Sequence, residues 1–275
     1  MSFKHFLLTR FNVAFIERCN AKKIDPDVWL KNRLELFFKT CVPSVCNQEN
    51  KNFSWIIYLD YRTDINYIRQ IESKISSINH HLILLNGDFD ILSGKVVLDI
   101  KLLMDHHVSH IITSRIDSDD LISKKFTNNI QSLFDYQDYL PVNYDKGYLY
   151  HNSKYVLGVV SHKCNPFISL IEKIDSNFYF KTVWYKKHTD YYYDKSTINI
   201  NNTDRMWCMI IHNNNVSSGF FAIPLLFKEV SLNDSFGYKF QKFPTKNSII
   251  LLLLFYFKRK IKMKLLALKF YINKL

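Results

Sequence analysis

The chain has 275 residues, 47% of them hydrophobic, which suits one large α/β domain or a domain with a tail. The formal net charge is +12, but ten of the 37 cations follow Asp234, the last acid, leaving the body 27 cations against 25 acids. A body so balanced lacks the basic footprint of a nucleic-acid-binding domain, and no nucleic-acid partner is expected.

Five cysteines, Cys19, Cys41, Cys46, Cys164 and Cys208, lack metal-type pairing and read as reduced thiols of a cytoplasmic protein. The start, Met1-Ser2-Phe3-Lys4-His5, shows no signal-peptide segment, and no apolar run reaches the length of a membrane span. Aromatic residues make up 16% of the chain, which fits a cleft that stacks sugars or bases.

In chain order, Phe3 to Thr9 is a short apolar strand, followed by Arg10-Phe11-Asn12. Asp25-Pro26 starts a helix, with Asp25 as its cap, and Trp29, Leu30, Arg33, Leu34, Phe37 and Phe38 recur at helical spacing until Pro43 ends the segment. Phe53 to Leu59 is a second strand ending on Asp60, and Ile65, Ile68, Ile71, Ile75 and Ile78 mark the next helix. His81 to Leu85 is a third strand, and Gly94 opens a helix that leads to a fourth. Strands alternating with helices predict a mainly parallel sheet with right-handed crossovers.

The fourth strand, His110 to Ile116, is β-branched and short, and ends in Asp117-Ser118-Asp119-Asp120. Open α/β sheets bind ligands at the carboxyl ends of their strands. Three carboxylates this close repel, and Mg2+ or Mn2+ bridging to a substrate diphosphate offsets that well. Asp117-Ser118-Asp119 therefore reads as an Asp-x-Asp metal motif. The alternative is an acidic turn capping the next helix.

Beyond it, Ser123 caps a helix to about Phe134, and Tyr139–Val142 with Tyr148–His151 reads as a hairpin around Asp145-Lys146-Gly147. Tyr155 to Val160 is a strand, and Asn165-Pro166 begins a short helix. Tyr179 to Asn202 is polar and tyrosine-rich, and reads as a mobile acceptor-side loop. Thr203-Asp204 opens an apolar segment that ends at His212.

Thr9-Arg10-Phe11-Asn12, the Pro43 region, Trp55-Ile56 running to Asp60, Arg115 to Asp120, and Trp207 to His212 occur in an order that resembles the bacterial rhamnosyltransferase family. That family looks like a glycosyltransferase group of GT-A fold, a Rossmann-like, mainly parallel sheet flanked by helices. The resemblance covers roughly residues 3 to 225 and implies a domain over residues 1–240. It implies that Thr9, Arg10 and Asn12 face the nucleotide, that Asp60 accepts from the nucleobase, and that Arg115 flanks the donor site or offsets the carboxylates. It further implies that Asp117 faces ribose and metal, that Asp119 is the main ligand of Mn2+ or Mg2+, and that His212 completes the metal site. Asp204 matches the residue that serves as base in inverting transfer, although Thr203-Asp204 stands where Glu-Asp is common; Asp190 and Asp194 are rivals. The implied partners are a nucleotide-sugar donor and a glycan or lipid-linked glycan acceptor of lipopolysaccharide, lipooligosaccharide or capsule. A nucleotidyltransferase or metal phosphohydrolase could use the same carboxylates, though no Gly-rich phosphate loop follows the first strand. A non-catalytic glycan- or nucleotide-binding membrane module is the third reading.

The tail, residues 245–275, places Ile250, Leu254, Phe257, Ile261, Leu265, Leu268 and Ile272 at helical spacing among lysines, with no acid. It reads as a basic amphipathic helix that lies on an anionic membrane surface, at the inner face of the cytoplasmic membrane. Packing on the body or an oligomer contact are the other readings.

Overall fold

The computed structural model describes residues 2–92, 94–104, 107–202, 204–212, 219–225, 232–238, 246, 249–254, 256–258 and 261. β1 (Phe3–Arg10) leads into α1 (Phe15–Lys22) and α2 (Pro26–Lys39). Asp25 caps α2 by accepting the Val28 N–H at 2.9 Å. Pro43 does not end that helix. The chain breaks at Thr40, whose hydroxyl donates to the Leu36 carbonyl at 2.7 Å, and Pro43 lies in the first turn of α3 (Cys41–Cys46), where a missing N–H costs nothing. β2 (Ser54–Asp60), α4 (Ile65–Ile75) and β3 (His80–Leu85) follow. A short α5 (Asp88–Leu92) precedes α6 (Lys95–Leu102), which Gly94 opens at φ 85, and then β4 (His110–Arg115).

The remaining elements are β5 (Leu121–Ile122), α7 (Phe126–Gln131), β6 (Tyr139–Tyr144), β7 (Lys146–His151), β8 (Val156–Ser161), β9 (Ser169–Lys173), β10 (Ile198–Ile200), β11 (Trp207–Ile211), β12 (Ile223–Pro224) and α8 (Leu232–Phe236). The main sheet has the order β10-β6-β9-β4-β1-β2-β3, with β9 alone antiparallel to its neighbours. The second sheet has the order β12-β8-β7-β11-β5. The protein is thus α/β with a mainly parallel central sheet flanked by helices.

Alternation along β1 and β2 sends side chains to two cores. Leu7, Trp55, Ile57 and Leu59 pack with Phe15, Leu30, Leu34 and Phe37 of α1 and α2 and with Ile71 and Ile75 of α4. Phe6, Leu8, Ile56 and Tyr58 pack on the other face with Val96 and Ile100 of α6 and with Phe180, Val183 and Tyr191.

The second half departs from expectation in several places. β6 and β7 are not a hairpin; β6 pairs with β9 and β10 in the main sheet, while β7 pairs with β8 and β11 in the second. The chain changes sheets at Asp145, and the reason lies at the next two positions. Gly147 lets the Trp207 ring lie against the backbone, where a Cβ would come within 2.2 Å of it. The Trp207 indole donates to the Tyr144 carbonyl at 2.7 Å, and its ring stacks on Phe167 at 5.2 Å. The hairpin is β7–β8, one strand later. Asn165-Pro166 starts no helix, because Asn165 spends its amide on the Tyr144 and His162 carbonyls, and β9 follows. Ser123 lies two residues before Lys125, the residue at the cap position of α7. The tyrosine-rich stretch is not a loose loop: it holds a 3-10 helix (His188–Tyr193) and β10, with Phe180, Val183 and Tyr191 buried. Glu172 of β9 anchors it by accepting the Lys181 and Thr182 N–H groups at 2.7 and 2.8 Å.

In the tail, residues 249–254 and 256–258 are helical. Leu252 is buried and Ile249 packs against the first core, while Ile250, Leu251, Leu254, Phe257 and Ile261 are each more than half exposed. Leu265, Leu268 and Ile272, like Thr203, lie outside the described residues. Among the described residues no helix is long and apolar enough to cross a membrane.

Candidate active site

β4 ends at Arg115 in the main sheet, and the chain then turns through the acidic cluster into β5 of the second sheet. The Asp120 N–H closes the turn on the Asp117 carbonyl at 3.1 Å. The cluster therefore occupies the seam between the sheets, off the carboxyl ends of parallel strands.

Arginines and one neighbouring strand hold the carboxylates. Arg33 of α2 donates from both Nη atoms to Asp119, at 2.9 and 3.3 Å. His212, just past β11, brings Nε2 to 2.9 Å from Asp119 Oδ2. Arg115 donates to Asp117 at 3.0 Å. Asp120 accepts the Ile210 N–H of β11 at 2.9 Å. Burial, then Asp119 and Asp117, push the Asp120 carboxyl well above its ordinary value. Burial acts the same way on Asp119, but Arg33 and His212 outweigh it and hold that carboxyl below its ordinary value. Two arginines, Arg33 and Arg115, thus offset part of the negative charge in the cluster.

The geometry nevertheless fits a divalent cation. Neighbouring ligands on an ion with bonds of about 2.1 Å stand about 3 Å apart, and Asp119 Oδ2 and His212 Nε2 are 2.9 Å apart. Among the described residues no cluster of three or more His, Cys, Asp or Glu side chains forms a complete cage. An ion held by Asp119 and His212 would take its remaining oxygens from a diphosphate and water, the usual habit of Mg2+. Asp117 faces Arg115 beside this pair. A second observation points to a ligand: Arg33 Nε, Arg115 Nε and Ser118 Oγ are buried with no partner among the described residues. Such orphaned donors are rare in a complete fold, and acceptor oxygens would satisfy them.

The residues of the first two strands are placed differently from one another. Thr9 is fully buried and its hydroxyl accepts the Trp55 indole N–H at 2.9 Å. Asn12 is also buried, donating to Thr63 Oγ1 and accepting the Asp60 N–H. Asp60 is fully buried and accepts from the Ala14 N–H, the Arg62 N–H and the Arg62 guanidinium. These three pin the loops around the strand ends. Arg10 is exposed; because Leu8 pairs opposite Arg115, Arg10 and Asp117 leave adjacent strands side by side.

Asp204 stands apart. It precedes β11, a strand and not a helix, and His212 follows that strand, so the two lie beyond opposite ends of an element roughly 15 Å long. Asp204 is exposed, with Lys125 Nζ at 3.9 Å. Asp194 is tied to Lys186 and Tyr139, each at 2.6 Å. Asp190 is exposed on the 3-10 helix that also carries His188. His188 Nδ1 lies 3.5 Å from Arg115 Nη1, and burial, reinforced by Arg115, lowers the imidazole to about 4, so it is neutral at neutral pH. Neither Arg33 nor His188 is among the residues the motifs single out. The signal for Arg33 is a cation within the apolar stripe of a helix. His188 carries no comparable mark.

Fold and site define an α/β protein whose strand-end cluster combines carboxylates, arginines and a histidine, a combination suited to a phosphorylated ligand. The sequence profile of the family described as "Putative rhamnosyl transferase" matches residues 5–222. The chain belongs to that family. No curated protein matches significantly. Among solved structures, the chain resembles residues 1–349 of S. aureus TarS at 13% identity and a TM-score of 0.42, covering 76% of this chain and 60% of that one. A longer TarS structure gives 14% identity and a TM-score of 0.43, covering 77% of this chain and 37% of that one. HddC from Yersinia pseudotuberculosis gives 13% identity and a TM-score of 0.37, covering 72% of this chain and 90% of that one.

Proposed function

We propose that the protein transfers a sugar, rhamnose by the family's description, from a nucleoside-diphosphate donor to a bacterial surface glycan, with a divalent cation at Asp119 and His212. The observation that carries this reading is the 2.9 Å Asp119–His212 pair at the end of β4, ringed by the unpartnered donors of Arg33, Arg115 and Ser118. Asp117 and Asp119 meet the donor's ribose and diphosphate side, and Arg10 and Arg115 flank it with positive charge. When bound, Mn2+ or Mg2+ would neutralise charge developing on the leaving diphosphate. Arg33 keeps Asp119 ionised and fixes its two oxygens in one plane, because a guanidinium fork matches a carboxylate.

For inversion, a base must take the acceptor's proton as the hydroxyl attacks. We place it on the 3-10 helix, at His188 or Asp190, beside Arg115 and Asp117. Asp204, the candidate from the motif, lies beyond the other end of β11. The exposed apolar face of the tail helix, with lysines about it, supports docking on an anionic membrane that presents a lipid-linked acceptor on the cytoplasmic side.

A thermal-shift panel of nucleotide sugars, with and without Mn2+, tests the donor and the ion together. Wild type should be stabilised by one donor in Mn2+, and Asp119→Asn should lose both that response and transfer. Full activity in Asp119→Asn would rule out the metal assignment.

A further inference from the structure

Beside the acidic cluster stands a second arrangement of charge, in which Arg10 is joined by Arg18 and Asp88, neither of which has a role in donor binding so far. Arg10, the last residue of β1, and Arg18 of α1 converge on one carboxylate. Arg10 Nη1 donates to Asp88 Oδ1 at 3.1 Å, and Arg18 Nη2 donates to Asp88 Oδ2 at 2.6 Å. All three side chains are about two-fifths exposed. Two guanidinium groups gripping the two oxygens of one anion reproduce the way arginines grip a phosphate.

The location ties this pair to the donor site. Arg10 lies beside Asp117, which stands two residues past the end of the neighbouring strand β4, and its guanidinium is within the electrostatic reach of Asp117 and Arg115 as well as of Arg18 and Asp88. Asp88, in contrast, belongs to α5, a five-residue helix that enters neither core with its first residues: Phe89 is 78% exposed. Gly87, just before it, has open space where a side chain would stand. Exposed ion pairs of this kind are weak, so a doubly charged ligand can displace them.

We infer that Arg10 and Arg18 form an anion site for the diphosphate of a nucleoside-diphosphate ligand, and that Asp88 fills it in the free protein as an internal competitor. The inference rests on the glycosyltransfer reading for the identity of the ligand, though not for the presence of the anion site. Ligand entry exchanges the carboxylate for phosphate oxygens and releases α5 from the two arginines. Arg18, which no motif marks, becomes a donor-binding residue. Asp88 sets how readily the donor enters.

The experiment measures binding of pyrophosphate and of UDP, by calorimetry, to the full chain as wild type, Asp88→Asn and Arg18→Gln, each first checked for a cooperative thermal transition. Asp88→Asn should bind both probes about two- to fivefold more tightly, the range set by losing one or two weak internal pairs. Arg18→Gln should bind both about fivefold or more weakly, as expected from the loss of a charge-assisted bond. Hydrogen exchange at residues 88–92 should rise in wild type when pyrophosphate is added and should already be high in Asp88→Asn. Unchanged or weaker binding by Asp88→Asn, or exchange that falls on adding pyrophosphate, overturns the inference. The pyrophosphate arm judges the anion site alone, while failure of every nucleotide sugar to be turned over would count against glycosyl transfer and leave that arm standing.

Discussion

Arg33 meets Asp119 through both of its terminal nitrogens, across 86 positions of sequence, and both side chains are largely buried. Removing the guanidinium from such a pair leaves a buried carboxylate without its main counter-charge. Arg33→Met should therefore destabilise the protein by roughly 3 kcal/mol in urea unfolding without added metal. Arg33→Lys restores the charge without the fork and should recover only part of that. The sign with pH follows. Asp119 is held below the ordinary carboxyl value, so its contribution is present above about pH 4 and fades as pH falls below it. An Arg33→Met protein as stable as wild type at neutral pH would show that the pair is incidental.

The base is open to a three-way comparison. His188→Gln or Asp190→Asn should lower turnover by about 100-fold or more, the usual scale of general-base loss, while nucleotide binding stays near wild type. Asp204→Asn should turn over normally. A collapse confined to Asp204→Asn would return the role to that residue and require the chain around it to move towards Asp119.

His5 offers a test of stability away from the chemistry. It is buried between Ser114 Oγ at 2.9 Å and Gln131 Nε2 at 3.1 Å, and burial lowers its imidazole to about 3. The unfolded chain takes up a proton near pH 6.5 and the folded one resists until about 3, so stability from this group is full above 6.5 and declines as pH drops through that window. The slope from one proton is about 1.4 kcal/mol per pH unit. His5→Gln should flatten the acid limb of a stability–pH curve by that amount. An unaltered slope between pH 6 and 4 would mean that His5 titrates normally.

The tail makes a prediction with two readouts. Truncation before Thr245 removes Leu252 from the core, a loss of about 2 kcal/mol, and should leave a folded but less stable protein. The full chain should sediment with anionic liposomes, less so at high salt, and the truncated chain should not. Equal sedimentation of the two forms would contradict membrane docking by this helix.

The first half of the fold was legible because its signals are local. Alternation along β1 and β2, the Asp25-Pro26 cap and the strand-to-acid transition at Arg115 each lie within one window. The second half failed where partners are distant. Nothing near Asp145 announces that Trp207 will claim the face of Gly147, so two adjacent strands looked like a hairpin. The tyrosine-rich stretch looked loose because its anchor, Glu172, is a single charged residue in a strand that no pattern marked. At the site, the carboxylates were visible as a cluster and His212 followed from the order of the motifs, whereas Arg33, the counter-charge of Asp119, comes from a helix 86 positions away.

The late arrival of β11 has a consequence for how the protein is made. Main-sheet strands β1, β2, β3 and β4 are complete by Arg115, but the second sheet needs Trp207–Ile211 between β5 and β7 before it can close. Contacts this far apart in sequence form slowly and last. A chain still being synthesised that ended before Trp207 would carry Asp119 and Asp120 without the His212 ring or the Ile210 N–H.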